Sequence, residues 1–447
     1  MAVDSRKLKK SWKVSMSKMA ENTFNPIRSI VDGMTLTPNP EKDMIALSIG
    51  DPTVFGNLPQ PVTCEEAVQE SIRKRSYNGY CPSIGYTEAR QAVADYVSTP
   101  TAQVEASDVV LTSGCSGALE MVIACLADPG QNILIPRPGF SLYKTVAVSL
   151  GIRVKHYDLL PERSWEIDLQ QMENLIDDDT AAIVVCNPSN PCGSVFSEEH
   201  IRDILSTVAK FRLPLIADEI YEHFVFSGFK YHSFASLSKD VPILACGGLT
   251  KRYLVPGWRM GWIIINDRHD ALSEVRIGLS KLSTRILGPN TLVQAALPRI
   301  LKDTPKFFYT ETLDYIQENA RIFYNALREM PGLEPVMPQG AMYMMVGIDM
   351  ESYPEFKSDV EFTQRLVTEE SVFCLPATCF EYPNFFRVVL TVPKEKAIEA
   401  CQRIRQFCEF HFQPTSPLIS GNGYSITNGK HRNGYHAVTE LSTEAGK

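Results

Sequence analysis

The chain has 447 residues, with 29 prolines, 26 glycines, 11 cysteines and a formal net charge of −8. At about 150 residues per domain this allows roughly three domains, or two around one large core, and the ordinary glycine and proline content excludes collagenous and low-complexity classes. The acidic balance argues against a nucleic-acid partner, and no apolar run reaches the roughly 18 residues that span a bilayer.

The N-terminal stretch sets Arg6, Lys7, Lys9, Lys10, Lys13 and Lys18 against Asp4. It is Lys-rich and has no apolar core, so it reads as a solvated arm without a secretory signal, mitochondrial targeting being the alternative. Further on, short apolar runs alternate with segments of helical period. Strands are expected at Val109–Thr112, Ile133–Pro136, Arg153–Tyr157, Ala181–Cys186, Leu213–Ala217, Ile243–Cys246 and Met260–Ile265. Helices are expected at Cys115–Ala127, Leu142–Leu150, Leu169–Leu175 and Glu198–Phe211. Strands that are apolar throughout and separated by helices indicate an α/β fold, with a mostly parallel seven-stranded sheet covered on both faces.

Beyond residue 305 the pattern changes. A long amphipathic helix from Lys306 to about Glu329 leads to strands at Tyr343–Gly347 and Phe386–Thr391, then a last helix at Lys394–Phe412. These suit a smaller α+β unit. The expected organisation is an arm and the start of the small domain in 1–60, a large domain in 61–312, a small domain in 313–412 and a disordered polar tail in 413–447. The 11 cysteines contain no CxxC pair and many sit in apolar runs, which fits reduced, buried thiols in the cytoplasm.

Five strings carry chemistry, each at an end of an expected strand. Thr112–Ala118 (TSGCSGA) opens a helix with small residues, whose free N–H groups suit an anion, although tight packing would explain it as well. In Asn187–Gly193 (NPSNPCG) two Asn-Pro pairs end a strand abruptly, and turn chemistry does not itself require Asn190. Asp218 follows a buried run and leads to Tyr221; it needs a cation, or else caps a helix. Lys251, just past a further apolar run, and Arg259, eight residues later and directly before the strand at Met260, complete the series. Together they supply what pyridoxal 5′-phosphate needs: a lysine for the Schiff base, a carboxylate for the pyridine nitrogen, and an arginine with a helix start for the phosphate.

The strings NPSNPCG, DEIY, LTKRYLVPGWRMGW and FRVVLTV resemble the class I aminotransferases of fold type I, over about residues 12 to 412. The resemblance implies the large and small domains of that fold, pyridoxal 5′-phosphate as cofactor and no metal. It implies amino acids and 2-oxo acids as substrates, with an aromatic L-amino acid, tyrosine foremost, donating to 2-oxoglutarate. In this reading Lys251 is the Schiff-base and proton-shuttling lysine, and Asp218 partners the ring nitrogen. Tyr221 and Asn190 bond the ring oxygen, while Arg259, Gly114, Cys115 and Ser116 bind the phosphate. Phe140 stacks on the ring, and Tyr80 reaches the neighbouring subunit's phosphate, which makes a homodimer. Arg387 forks onto the substrate α-carboxylate, with Gly50 in the substrate-side loop; Arg285 is a weaker candidate for a side-chain carboxylate. Phe140 and Tyr80 also suit ordinary core or interface aromatics. Gly248 and Cys192 depart from the hydroxyl residues usual at their places. A lyase or synthase on the same cofactor uses nearly the same residues, and a non-catalytic cofactor-binding regulator is the more distant alternative.

Overall fold

A computed structural model describes residues 14–34 and 37–414. The basic cluster from Arg6 to Lys13 and nearly all of the 413–447 tail lie outside the described residues. The central sheet follows directly from the apolar runs. Val109–Ser113, Asn132–Arg137, Arg153–Leu160, Thr180–Cys186, Leu215–Asp218, Ile243–Gly248 and Met260–Asn266 are all strands. Ile183, Val184, Val185, Leu215, Ile216 and Ala217 are fully buried, as strands covered on both faces must be.

The sheet has eight strands rather than the expected seven. The addition is Glu166–Ile167, a two-residue strand antiparallel to Arg153–Leu160, too short to leave an alternating pattern in sequence. In space the order runs from Val109–Ser113 through Met260–Asn266, Ile243–Gly248, Leu215–Asp218, Thr180–Cys186, Asn132–Arg137 and Arg153–Leu160 to Glu166–Ile167. Met260–Asn266 is antiparallel to both of its neighbours, and the strands from Ile243–Gly248 to Arg153–Leu160 pair in parallel. The carboxyl ends of the parallel strands therefore gather on one edge, where open α/β sheets place their ligands.

Helices Gly114–Leu126, Leu142–Ser149, Leu169–Leu175 and Glu198–Phe211 match their expected places to within a residue or two. Ser197 caps the last of these by accepting the His200 N–H, and Arg212 closes it in the left-handed conformation. A four-stranded antiparallel sheet forms the second layer, ordered Leu333–Pro335, Tyr343–Ile348, Phe385–Val389 and Leu375–Pro376. Helices Lys306–Leu327, Asp359–Glu370 and Lys394–His411 accompany it.

The segment at residues 45–47 joins this second layer. Ile45–Ala46 pairs in parallel with Val372–Phe373, and the Val389 N–H donates to the Leu47 carbonyl at 3.0 Å. That pairing delivers Ser48 and Gly50 to the edge of the large sheet. By backbone contacts the described residues as far as Gln413 form one compact unit.

Candidate active site

A cavity of about 600 Å³ opens where the strand ends meet the second sheet. All the expected site residues except Gly114, Tyr80 and the weaker candidate Arg285 line it. They arrive from several elements: Asp218 ends Leu215–Asp218, Lys251 lies just past Ile243–Gly248, and Arg387 stands mid-strand in Phe385–Val389.

Asp218 lies at the base of the cavity and is 2% exposed. The Tyr143 hydroxyl donates to its Oδ2 at 2.6 Å; the Cys115 thiol (3.6 Å) and the Ile220 N–H (3.2 Å) donate to its Oδ1. Burial pushes this carboxyl above its ordinary range, while the Tyr143 bond, the Ile220 and Cys115 bonds and the Lys251 charge pull it back. A cationic ring nitrogen brought against it would complete the pull toward the carboxylate form.

Lys251 donates to the Gly50 carbonyl at 2.5 Å, and its Nζ stands 5.8 Å from the Tyr221 ring centroid. The Tyr221 hydroxyl meets that of Tyr343 at 2.7 Å. Burial, reinforced by Tyr343, raises the Tyr221 phenol far above its usual range, so it stays protonated as a donor.

The two arginines meet different walls. Arg259 is exposed at the cavity edge, its guanidinium bonded, among the described residues, only to the carbonyls of Pro256 (3.1 Å) and Ser113 (3.2 Å). It stands over the start of helix Gly114–Leu126, which Ser113 does not cap with its side chain. Gly114 has φ +70, and a Cβ there would sit 2.5 Å from Arg259 Nη2, so glycine is needed twice over. Free helix N–H groups beside an unpaired guanidinium make an anion site. Gly248 does not line it: a Cβ there would meet the Met260 carbonyl at 2.6 Å, so a side chain at this position would clash with the neighbouring strand.

Arg387 is 4% exposed. Its Nη1 donates to Asn190 Oδ1 at 3.0 Å and its Nη2 to the Ser48 carbonyl at 2.7 Å. The guanidinium carbon stands 4.3 Å from the Tyr343 ring centroid and 5.0 Å from that of Phe380. Among the described residues no carboxylate pairs with it, and its Nε is buried without a partner. Burial lowers its pKa, the signature of a cation whose anion is still to come.

Phe140 lines the cavity, its ring 5.9 Å from that of Tyr143. Tyr80 is 89% exposed and outside the cavity of this chain. Arg285 is exposed and is not among the lining residues. Sequence reasoning missed Tyr143, Tyr343, Thr250 and the cavity face of helix Pro26–Gly33. Tyr343 could have been found as a tyrosine opening an otherwise apolar strand; Tyr143 stands in an ordinary apolar helix and carries no such mark.

This arrangement of buried carboxylate, lysine and two anion-seeking arginines agrees with comparison to known proteins. The family model "Aminotransferase class I and II" matches residues 42–404. Tyrosine aminotransferase of Mus musculus is 60% identical over 405 residues, covering 90% of this chain and 89% of its own. That of Dictyostelium discoideum is 46% identical, covering 90% and 98%. The crystal structure of tyrosine aminotransferase from Leishmania infantum superposes with a TM-score of 0.86 at 35% identity, covering 90% of this chain and 99% of that one. The chain belongs to the class I and II aminotransferases, enzymes of fold type I that depend on pyridoxal 5′-phosphate. The donor set fits that cofactor: an amine, a buried carboxylate and an uncapped helix start beside Arg259 converge on one cavity.

Proposed function

We propose that this aminotransferase moves the amino group of L-tyrosine to 2-oxoglutarate, giving 4-hydroxyphenylpyruvate and L-glutamate, within tyrosine and phenylalanine breakdown. The observation that carries the substrate class is Arg387, a buried guanidinium lining the cavity with no carboxylate partner among the described residues. An α-carboxylate common to both substrates supplies the missing anion. The aromatic preference is supported by the tyrosine aminotransferases that the chain is most like among the relatives given above.

When bound, the cofactor supplies an electrophilic carbon for the substrate amine and a ring that withdraws electrons from its Cα. In our reading Asp218 holds the ring nitrogen, steadied by Tyr143. Arg259 and the N–H groups of Gly114, Cys115 and Ser116 hold the phosphate. Tyr221 and the free amide of Asn190 reach the ring oxygen, and Phe140 covers the ring. Lys251 takes the Cα proton on Nζ and returns it, and the Gly50 carbonyl orients that amine. On the domain assignment, 61–312 binds the cofactor, while 1–60 and 313–412 bring Ser48, Gly50 and Arg387.

Tyr80, exposed in the single chain, is proposed to complete a neighbour's phosphate site in a homodimer. All 11 cysteines are free, which supports a reducing compartment, and we assign the cytoplasm. Among the described residues no helix is long and apolar enough to cross a membrane. Incubation with L-tyrosine and 2-oxoglutarate tests the activity. Equal yields of 4-hydroxyphenylpyruvate and glutamate are expected. Absence of the oxo acid, or a product of side-chain cleavage, overturns the reading.

A further inference from the structure

Tyr343 has no task in the function proposed above, yet it touches three residues that do. It opens strand Tyr343–Ile348 of the second sheet. It is 2% exposed in the single chain, so its contacts stand without a neighbouring subunit. Its hydroxyl meets that of Tyr221 at 2.7 Å, and this contact ties the second sheet to the segment that follows Asp218.

The ring is fixed from two sides. Tyr343 pairs with Val389 and Arg387 with Met345, so Tyr343 and Arg387 are diagonal neighbours on one face of the sheet. The Arg387 guanidinium carbon accordingly stands 4.3 Å from the Tyr343 ring centroid. On the other side a Cβ at Gly50 would sit 2.5 Å from the Tyr343 hydroxyl oxygen, so only glycine lets the two approach. The Gly50 carbonyl is the one that accepts the Lys251 amine at 2.5 Å. Held this way, the Tyr343 hydroxyl is aimed at Tyr221.

A phenol has one proton to give and lone pairs that can accept. Among the described residues neither hydroxyl has another hydrogen-bond partner. In the function proposed above, on which this inference rests, Tyr221 spends its proton on the ring oxygen of the cofactor. The 2.7 Å contact then requires Tyr343 to be the donor, and a hydroxyl that accepts one hydrogen bond gives a stronger one. We infer that Tyr343 is a positioning residue acting through Tyr221: it donates to the Tyr221 oxygen, turns that hydroxyl toward the ring oxygen and strengthens the bond made there. The other ionisable groups facing Tyr221 are Arg387, Cys186 and Lys251, whose Nζ is 5.8 Å from the ring centroid.

A pH titration of the holoenzyme's cofactor absorbance, without substrate, tests this. The nitrogen that joins Lys251 to the cofactor shares its proton with the ring oxygen, so a weaker donor on that oxygen keeps the proton in place to higher pH. In Tyr343→Phe the midpoint should rise by about half a unit to one unit. The kcat should fall about threefold to tenfold, with each KM changed less than about twofold. Tyr221→Phe should raise the midpoint further, and the double variant should match Tyr221→Phe alone, as expected when one hydroxyl acts only through the other. A Tyr343→Phe midpoint equal to the parent's, or shifts that add in the double variant, would overturn the inference and leave the role of Tyr221 standing. A loss expressed only in KM would make Tyr343 a substrate contact and overturn it as well. An unmoved midpoint in Tyr221→Phe would overturn the proposed role of Tyr221 and this inference with it. Failure of the parent enzyme to use tyrosine would strike the substrate assignment instead, and the titration would still decide the role of Tyr343.

Discussion

Asp218 and Glu219 are consecutive and both buried, yet they open on different cavities. Asp218 looks into the active-site cavity. Glu219 lines a second one of about 250 Å³, together with Glu222, His223 and Tyr231. In the rear cavity burial removes charge. It pushes the Glu219 carboxyl up to about 8, raises Glu222 as well, and holds His223 down at about 4. At neutral pH Glu219 is therefore mostly protonated and His223 is neutral, and the Glu219 Oε1 accepts the Phe234 N–H at 2.9 Å. In the front cavity charge stays exposed to an incoming ligand. Among the described residues Arg387 and Arg259 have carbonyl and amide partners but no acid. Burial of ionisable groups is thus not itself the mark of this site. The mark is cationic charge left unmatched where a ligand can match it.

The comparison is broken most sharply at Lys251. Lys251→Ala should lower turnover about 10⁴-fold, since it removes the proton carrier, and among the described residues no other amine lines the cavity. Borohydride reduction followed by mass measurement should show the cofactor's mass on the parent chain and none on the variant. Retained turnover would remove Lys251 from its role.

Next in size is Arg387. In Arg387→Lys a point charge replaces a fork already seated on Asn190 and Ser48. The kcat/KM should fall about 10²-fold for every substrate, aromatic and dicarboxylic alike, chiefly through KM. A loss confined to dicarboxylates would mean that Arg387 reads the side chain.

How much of this could be read from the sequence depended on which link in the chain of causes was asked about. The strands of the large sheet were readable because residues such as Ile183–Val185 are apolar on both faces, and strand ends then located Asp218, Asn190 and Lys251. Joining those residues into one cofactor site rested on their order, and their detailed roles rested on family resemblance. Tyr143 was not readable because it reaches Asp218 from a helix 75 residues earlier, a tertiary contact without local pattern. The cavity face of helix Pro26–Gly33 escaped for a similar reason: Thr145 anchors the preceding turn at the Phe24 carbonyl and the helix packs on the Ala377–Phe380 turn, contacts that nothing in the NPIR string announces. Helices Ser273–Ser283, Thr291–Asp303 and Asp359–Glu370 were also unclaimed. The second of these carries an internal Pro298, a residue that ordinarily argues against a helix interior.

Tyr143→Phe sharpens the comparison more gently. It deletes one 2.6 Å bond to a buried carboxyl while leaving the ring in place. One hydrogen bond to a charged group is worth about 1.5–3 kcal/mol, so kcat should fall roughly tenfold to a hundredfold. Asp218 should titrate at higher pH, because Tyr143 is the first of the groups holding it down. A shift of the pH profile in that direction checks the mechanism; an unchanged profile would mean that Tyr143 only packs.

The smallest effect on activity belongs to the rear cavity. Glu219→Gln keeps an oxygen for the Phe234 N–H and should change kcat less than about twofold. Its consequence is for stability. An unfolded glutamate loses its proton near about 4.3, whereas folded Glu219 holds its own up to about 8. Between those values the folded chain binds the extra proton, so this group makes stability fall as pH rises, by at most about 1.4 kcal/mol per unit. Glutamine has no proton to lose. The melting temperature of Glu219→Gln relative to the parent should therefore climb steadily from about pH 5 to pH 8 and level off above it, by something on the order of a degree per unit. His223 contributes in the opposite sense: held neutral with a pKa of about 4, it loses stability as pH falls below its unfolded value of about 6.5. A pH-independent difference between Glu219→Gln and the parent would show Glu219 ionised in the folded state, and the two cavities would then differ in position but not in how they handle charge.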